Sequence, residues 1–342
     1  MLKTSEWVSL GHPDKVADYI SCRLLDQHLA LDPDTRFAVE VQIKDRFVTL
    51  GGEVTSKADF SNRELAKMVR EAVSEIGYTR EYLKQWGKEN TIAGDDLVVA
   101  IHIGRQSPDI AQGVDHSGWG DQGIFWGMAV ASPETSFMPR DHFLAAAIGR
   151  RLFNSQYAGI DIKTQVTMSG SQIKEIVVAI PMTEKHDGRR IAKMVAECVE
   201  EHAFPGNPVI NGTGRYVRHG PVGDCGTTGR KLAVDFYGGN CRIGGGSPWT
   251  KDGTKADLSL NLLARKYAID YLKNHEDIRE VHCVISCRIG SPEILVAFFD
   301  SRMRQLSHYR TNATPAEVIE RFDLRSPRFG RMCREGLLHD IS

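Results

Sequence analysis

The chain has 342 residues, enough for two or three domains of ordinary size, so a mini-protein held by staples is excluded. Its 43 Lys and Arg against 44 Asp and Glu leave a formal net charge of −1, which excludes a global pull toward nucleic acid or anionic membrane, so any bound anion is held by a local cluster. Hydrophobic residues make up 41% and charged residues 25%, the composition of a folded globular protein.

The opening residues carry Lys3, Ser5, Glu6 and Ser9 and form no signal-peptide core, and the longest apolar run is Ile294 to Phe299; no membrane span or anchor is expected. Seven cysteines without a CxxC pair point to reduced thiols in the cytoplasm, with Cys283 and Cys287 on one face of a strand as core residues. A helix is expected from Asp14 to Leu31. Phe37 to Ile43 and Arg46 to Val54 then read as a hairpin turning at Lys44-Asp45. Ser61 and Glu64 make a capping box before the stripe Leu65, Met68, Val69, Ala72, Val73 and Ile76, with Gly77 as the stop. A strand signal follows at Leu97 to Ile103. The same order returns with a helix over Arg140 to Phe153, a hairpin turning at Ser169-Gly170, and a helix carrying Ile191, Met194, Val195, Cys198 and Val199, then a strand signal at Lys231 to Tyr237. It returns again with a helix over Asp257 to Asn274, a hairpin turning at Gly290-Ser291-Pro292, and a helix capped by Thr314 and Glu317, soon after which the chain ends.

Helix, hairpin, helix thus occurs three times at a spacing of about 120 residues, one small domain. No sequence motif recurs with it. The expected fold class is α+β: three similar units, antiparallel or mixed sheets with helices on one face, the last one trimmed.

Four segments set charge beside glycine or proline. Gly11-His12-Pro13-Asp14-Lys15 opens a helix whose free N–H groups attract an anion, although a plain cap has the same look. Arg105 to Gly123 reads as a loop over a site or as a linker. Gly220 to Lys231 and Gly238 to Asp257 are glycine-rich and both supply cations suited to phosphate oxygens. Neither matches a Walker A loop or a GxGxxG turn, and HExxH, CxxC and GxSxG are absent. Asp14, Asp121, Asp224 and Asp257 stand beside the cations, where Mg²⁺ shared with phosphate oxygens needs carboxylates.

Taken together, these motifs resemble the S-adenosylmethionine synthetase family. Ser5-Glu6 with Gly11 to Lys15, Gly51-Gly52-Glu53, Gln106 to Ile110, Gly120 to Gly123, Lys163 to Thr167, Gly214-Arg215-Tyr216, Gly223 to Gly226 with Thr228 to Lys231, and Gly244 to Gly246 with Lys251, Asp252 and Lys255 follow in the family's order. The likeness runs from about residue 4 to 260 and returns weakly at Phe329-Gly330-Arg331. The resemblance implies pseudo-threefold symmetry with units at 1–108, 109–218 (with a lid loop at its start) and 219–342, the last shortened. It implies transfer of the adenosyl group of ATP to the sulfur of L-methionine, with triphosphate expelled and hydrolysed. It implies Mg²⁺, two per site, and K⁺, and a homodimer or tetramer with shared sites. Carried over position by position, His12, Lys163, Arg230 and Lys231 are catalytic; Lys15, Asp224, Tyr216, Lys251 and Lys255 bind ATP or triphosphate; Glu53, Gln106 and Asp121 surround methionine; Asp14 and Asp257 hold Mg²⁺ and Glu40 holds K⁺.

The chain departs from the family at Leu10, Tyr216 and Ser247 to Thr250, and it is shorter between Asp115 and Asp121 and at the carboxy terminus. Two other readings are an ATP-dependent transferase with a different acceptor, since the triphosphate residues do not select methionine, and an inactive paralogue. All the matched cations remain, which argues against the second.

Overall fold

A computed structural model describes residues 2–104, 118–200, 202, 204–339 and 341. In chain order these form β1 (Leu2–Val8), α1 (Pro13–Leu31), β2 (Arg36–Lys44), β3 (Phe47–Thr55), α2 (Asn62–Ile76), α3 (Arg80–Trp86), β4 (Val98–Gly104), β5 (Gly123–Val130), α4 (Arg140–Ser155), β6 (Lys163–Ser169), β7 (Gln172–Ala179) and α5 (Gly188–Cys198). There follow β8 (Val209–Ile210), β9 (Gly226–Thr227), α6 (Leu232–Asp235), α7 (Ala256–Lys273), β10 (Glu280–Cys287), β11 (Glu293–Asp300), β12 (Gln305–Asn312), α8 (Pro315–Arg321) and α9 (Phe329–Glu335).

The three expected hairpins and the helices around them are present. Local chemistry sets their ends: Ser61 with Glu64 and Thr314 with Glu317 close reciprocal capping boxes at α2 and α8, and Gly77 at φ 125° stops α2. Two expectations are corrected. Lys231 to Tyr237 contains a helical turn and no strand; Val234, Asp235, Phe236 and Tyr237 are all buried, and a run buried on every side has no period to separate strand from helix. The third unit also continues past its hairpin into β12, whose polar sequence carries little strand signal because it lies half-exposed at a sheet edge.

Each sheet has four strands, in the orders β1-β6-β7-β8, β4-β3-β2-β9 and β12-β11-β10-β5. The first strand of every hairpin pairs antiparallel with a strand from another third of the chain: β6 with β1, β10 with β5, and β2 with β9. The first third thus lends a strand to the second, the second to the third, and the third back to the first, so the sheets run across residues 108 and 218. The helix before each hairpin packs on that hairpin's first strand, α1 on β2, α4 on β6 and α7 on β10. This repeats one arrangement three times. Helices α1 and α7 are buried on most of their circumference and join the first and third units into one core, while Leu144, Ile148, Val166, Ile176, Ile191 and Val195 form a separate core in the second.

One sheet face stays open in the single chain. Along β2, β3 and β4 the outward rows are Lys44, Phe47 and Val98, then Gln42, Thr49 and Ala100, then Glu40, Gly51 and His102, then Ala38, Glu53 and Gly104. Phe47 is 55% and Val98 47% exposed.

Candidate active site

The site is built on the N-terminus of α1. Pro13 occupies its first turn and His12 is the N-cap, with Nδ1 accepting the amide of Asp14 at 3.2 Å. Because Nδ1 is an acceptor, the proton of the neutral ring sits on Nε2, which has no partner among the described residues. Burial, with Lys231 and Lys163 nearby, pushes the imidazole down to about 3 despite Asp14 and Asp224, so His12 is a neutral N–H donor at ordinary pH.

Asp14 is buried and held at both oxygens: the Thr227 amide donates to Oδ1 at 2.9 Å and Lys231 Nζ to Oδ2 at 2.5 Å, while Arg230 Nε lies 3.7 Å from Oδ1. Burial alone would raise this carboxyl, but Lys231 and the Thr227 amide outweigh it and keep it below the usual range. Close backbone approach allows the assembly. A Cβ on Gly226 would stand 2.0 Å from the Pro13 carbonyl oxygen, and one on Gly11 would stand 2.2 Å from that of Ile160. The segment after Ile160 brings in Lys163 at the exposed start of β6, with no side-chain partner among the described residues. Asp224 is exposed nearby and accepts its neighbour's amide. Tyr216 reaches the Asp161 carbonyl at 3.4 Å.

A second group repeats the motif. Asp257, in the first turn of α7, accepts the Gly246 amide at 2.8 Å and Lys251 Nζ at 2.5 Å. Lys251 bridges Ala38 of β2, whose other cross-strand neighbour is Glu53, so Lys251 and Glu53 flank one row of the open face. Asp121 is exposed and lies with Asp257 close to Cys287, whose thiol burial pushes up to about 11. Glu40 joins the two groups: one oxygen accepts the Thr228 hydroxyl beside Arg230, the other the Thr250 hydroxyl beside Lys251, at 3.0 Å.

Lys15 is elsewhere. Its ammonium is buried, 2.7 Å from Asp235, 3.1 Å from Asp18 and over the Trp249 ring, so the expected phosphate contact is replaced by an interior ion cluster. Lys255 is drawn back to Asp252 at 3.3 Å, and Asp252 also holds the Phe37 amide. Gln106 lies outside the described residues. Sequence reading missed half-buried Asp161, which accepts the Gly220 amide at 2.8 Å and whose burial within the fold pushes its carboxyl up to about 7. It also missed Tyr78, whose hydroxyl donates to the Gly11 carbonyl at 2.5 Å, together with Tyr82 and His219. The i, i+4, i+8 spacing of Tyr78, Tyr82 and Trp86 is the signal that was available.

Among the described residues no three His, Cys, Asp or Glu side chains form a metal site by themselves. A neutral N–H donor, grouped cations and two carboxylates pinned by backbone amides define an enzyme that works by electrostatics on a polyanionic substrate.

Comparison with known proteins narrows this. The model of the S-adenosylmethionine synthetase N-terminal domain matches residues 1–108 and that of the C-terminal domain residues 218–341. An S-adenosylmethionine synthase of Desulforudis audaxviator is 35% identical over 98% of this chain and 92% of its own length, and one of Brachyspira hyodysenteriae is 32% identical over 97% and 92%. A solved S-adenosylmethionine synthetase from Campylobacter jejuni, described as unusual, superposes with a TM-score of 0.84 at 29% identity, covering 99% of this chain and 95% of that one. The chain belongs to the S-adenosylmethionine synthetase family, ATP-dependent methionine adenosyltransferases.

Proposed function

We propose that the α1 N-terminus is where the triphosphate of ATP leaves. In this family's reaction the methionine sulfur attacks C5′ of ATP, the C5′–O bond breaks, and the expelled triphosphate is split into pyrophosphate and phosphate. Thioether sulfur has no proton to lose, so no protein base or nucleophile is called for; the difficulty is the charge gathering on the leaving oxygen. The neutral His12 ring carries this reading, because its Nε2–H, without a partner among the described residues, stands near Lys163 and Lys231 and donates to that oxygen as charge develops. Lys163, Arg230 and Lys231 spread along the phosphates, Lys251 and Lys255 take the far end, and Tyr216 and Asp224 line the nucleoside. Glu53, Gln106 and Asp121 surround methionine and hold its sulfur in line with C5′.

Mg²⁺, two per site, and K⁺ are the cations of this reading. The donor set fits: Asp14 and Asp257 are hard-oxygen ligands oriented by backbone amides, and each has a lysine ammonium resting where a cation is attracted. Few protein carboxylates plus phosphate oxygens are the usual Mg²⁺ arrangement, and it neutralises phosphate charge when bound. Glu40 between two threonine hydroxyls is an all-oxygen setting suited to K⁺. A second chain completes the site in a homodimer, supported by the open face that carries Glu40 and Glu53 beside exposed Phe47 and Val98. Reduced thiols agree with action in the cytoplasm: all seven cysteines are free, and no helix of the described residues is long and apolar enough to cross a membrane.

The test incubates the chain with ATP, Mg²⁺, K⁺ and methionine and measures S-adenosylmethionine, with His12→Ala beside it. Product from the wild type and a loss of about 10²-fold or more in the variant support the reading; equal rates remove His12 from it. Sedimentation, and mixing of His12→Ala with Asp257→Ala chains, tests the shared site: no recovered activity in mixed dimers argues for sites within one chain.

A further inference from the structure

Two residues outside the groups assigned to substrate hold the two sides of the site together. His219 is buried, and its Nδ1 lies 2.6 Å from the Val217 carbonyl, which only accepts; Nδ1 therefore carries the proton and Nε2 is an acceptor. The Tyr82 hydroxyl, 2.6 Å from Nε2, must donate to it. Its oxygen in turn accepts the Ile160 amide at 3.0 Å. One hydroxyl thus ties Ile160, next to Asp161 and three residues before Lys163, to His219, between Tyr216 and Asp224. Aromatic packing fixes where that hydroxyl stands: Tyr78 meets the Tyr82 ring edge-on at 5.7 Å, and Trp86 meets His219 edge-on at 4.8 Å while stacking on His186 at 5.4 Å. Burial keeps His219 neutral, as its acceptor role requires.

We propose that Tyr82 and His219 are positioning residues, a clasp that holds the loop bearing Tyr216 and Asp224 against the strand bearing Lys163 and so sets affinity for the nucleoside end of ATP. The inference rests on the nucleoside role given above to Tyr216 and Asp224. It predicts a split between parameters, because the loop bearing Tyr216 and Asp224 depends on the clasp, whereas His12 and Lys163 are also held by the close approach of Gly11 to Ile160 and by the pairing of β1 with β6.

The experiment compares wild type, Tyr82→Phe, His219→Leu, His219→Gln and the double variant Tyr82→Phe/His219→Leu by steady-state kinetics, by binding of the non-hydrolysable probe adenosine 5′-(β,γ-imido)triphosphate, and by thermal unfolding. Loss of one well-placed hydrogen bond corresponds to about a tenfold change. Tyr82→Phe and His219→Leu are expected to raise the ATP KM and the probe Kd about tenfold, with kcat and methionine KM within about twofold. The double variant should be no worse than the worse single variant, and His219→Gln, which keeps an acceptor for the tyrosine, should recover most of the affinity. Unchanged ATP KM and probe Kd in folded variants, equal losses for ATP and methionine, or additive losses overturn the clasp. If Tyr82→Phe does not fold, His219→Leu against His219→Gln makes the same comparison. A wild type that makes no S-adenosylmethionine defeats the reading of the function, while probe binding still judges the clasp.

Discussion

Asp14 and Lys15 are adjacent in sequence, yet they serve two different charged regions. Lys15 turns inward to Asp235, Asp18 and Trp249, where each partner is nearly sealed from water. Asp14 turns toward Lys231 and Arg230, the latter half-exposed. The chemistry is the same lysine–aspartate pairing in both, but one region is closed and consumed by the fold while the other retains cations that a substrate can claim. Burial, and not residue type, decides which charge is available for binding.

The largest effect expected from this comparison is Lys15→Met. It strands Asp235 and Asp18 in the interior, and breaking one side of a buried pair costs about 3–5 kcal/mol. Urea unfolding should show that loss while activity per folded molecule changes little; a stable but inactive variant would move Lys15 into the site. Lys163→Met should do the reverse. By analogy with an oxyanion donor it removes about 3–4 kcal/mol of transition-state stabilisation, read as a fall of 10² to 10³ in kcat/KM with the melting temperature nearly unchanged. A normal kcat/KM would exclude Lys163 from the leaving-group step.

A smaller effect follows from pH. Burial, reinforced by the negative charges of Asp224 and Asp14, holds the Asp161 carboxyl at about 7 against the downward pull of the Gly220 amide and Lys163, whereas burial holds His219 at about 4. Asp161 is raised in the folded state, so its contribution is full below pH 4 and is lost as pH rises through 7. His219 is lowered, so its contribution is present above about 6.5 and is lost as pH falls toward 4. Asp161→Asn keeps an acceptor for Gly220 and removes only the first trend. Its stability relative to wild type should therefore rise between pH 4 and 7, measured as urea midpoints at each pH; a constant difference would mean that the carboxyl is not ionising in a buried setting. The smallest effect is a control belonging to neither region: Ser61→Ala, which opens the α2 capping box, should cost about 1 kcal/mol with kinetics unchanged.

What was legible in the sequence follows the range of the interactions involved. The capping boxes, the Pro13 helix start and the three hairpins depend on neighbours within a few residues, and the structure has them where the sequence places them. The pairing of β1 with β6, β5 with β10 and β9 with β2 depends on partners about 160, 160 and 185 residues away, on which local pattern is silent. Asp14 and Lys15 were read together from one motif, and only the interior partner Asp235, 220 residues on, separates them. Tyr82 and His219 stand 137 residues apart and are joined only by the fold.

The lending of strands around the three thirds bears on how the chain is made. During synthesis the first strand, Leu2 to Val8, leaves the ribosome with no partner until Lys163 to Ser169 has followed, and Gly226-Thr227 must return to a hairpin that emerged long before. At roughly 5–20 residues per second the amino-terminal strand waits about 10 to 30 seconds for its neighbour. The first third cannot complete its sheet until the third has begun to emerge, the strands lent by the first and second thirds wait for hairpins made later, and cutting at residue 108 or 218 leaves one fragment with an orphan strand and another with an unfilled edge. Growing chains of this protein therefore expose open strand edges for most of their synthesis, and chaperones that mask such edges should find their binding sites there.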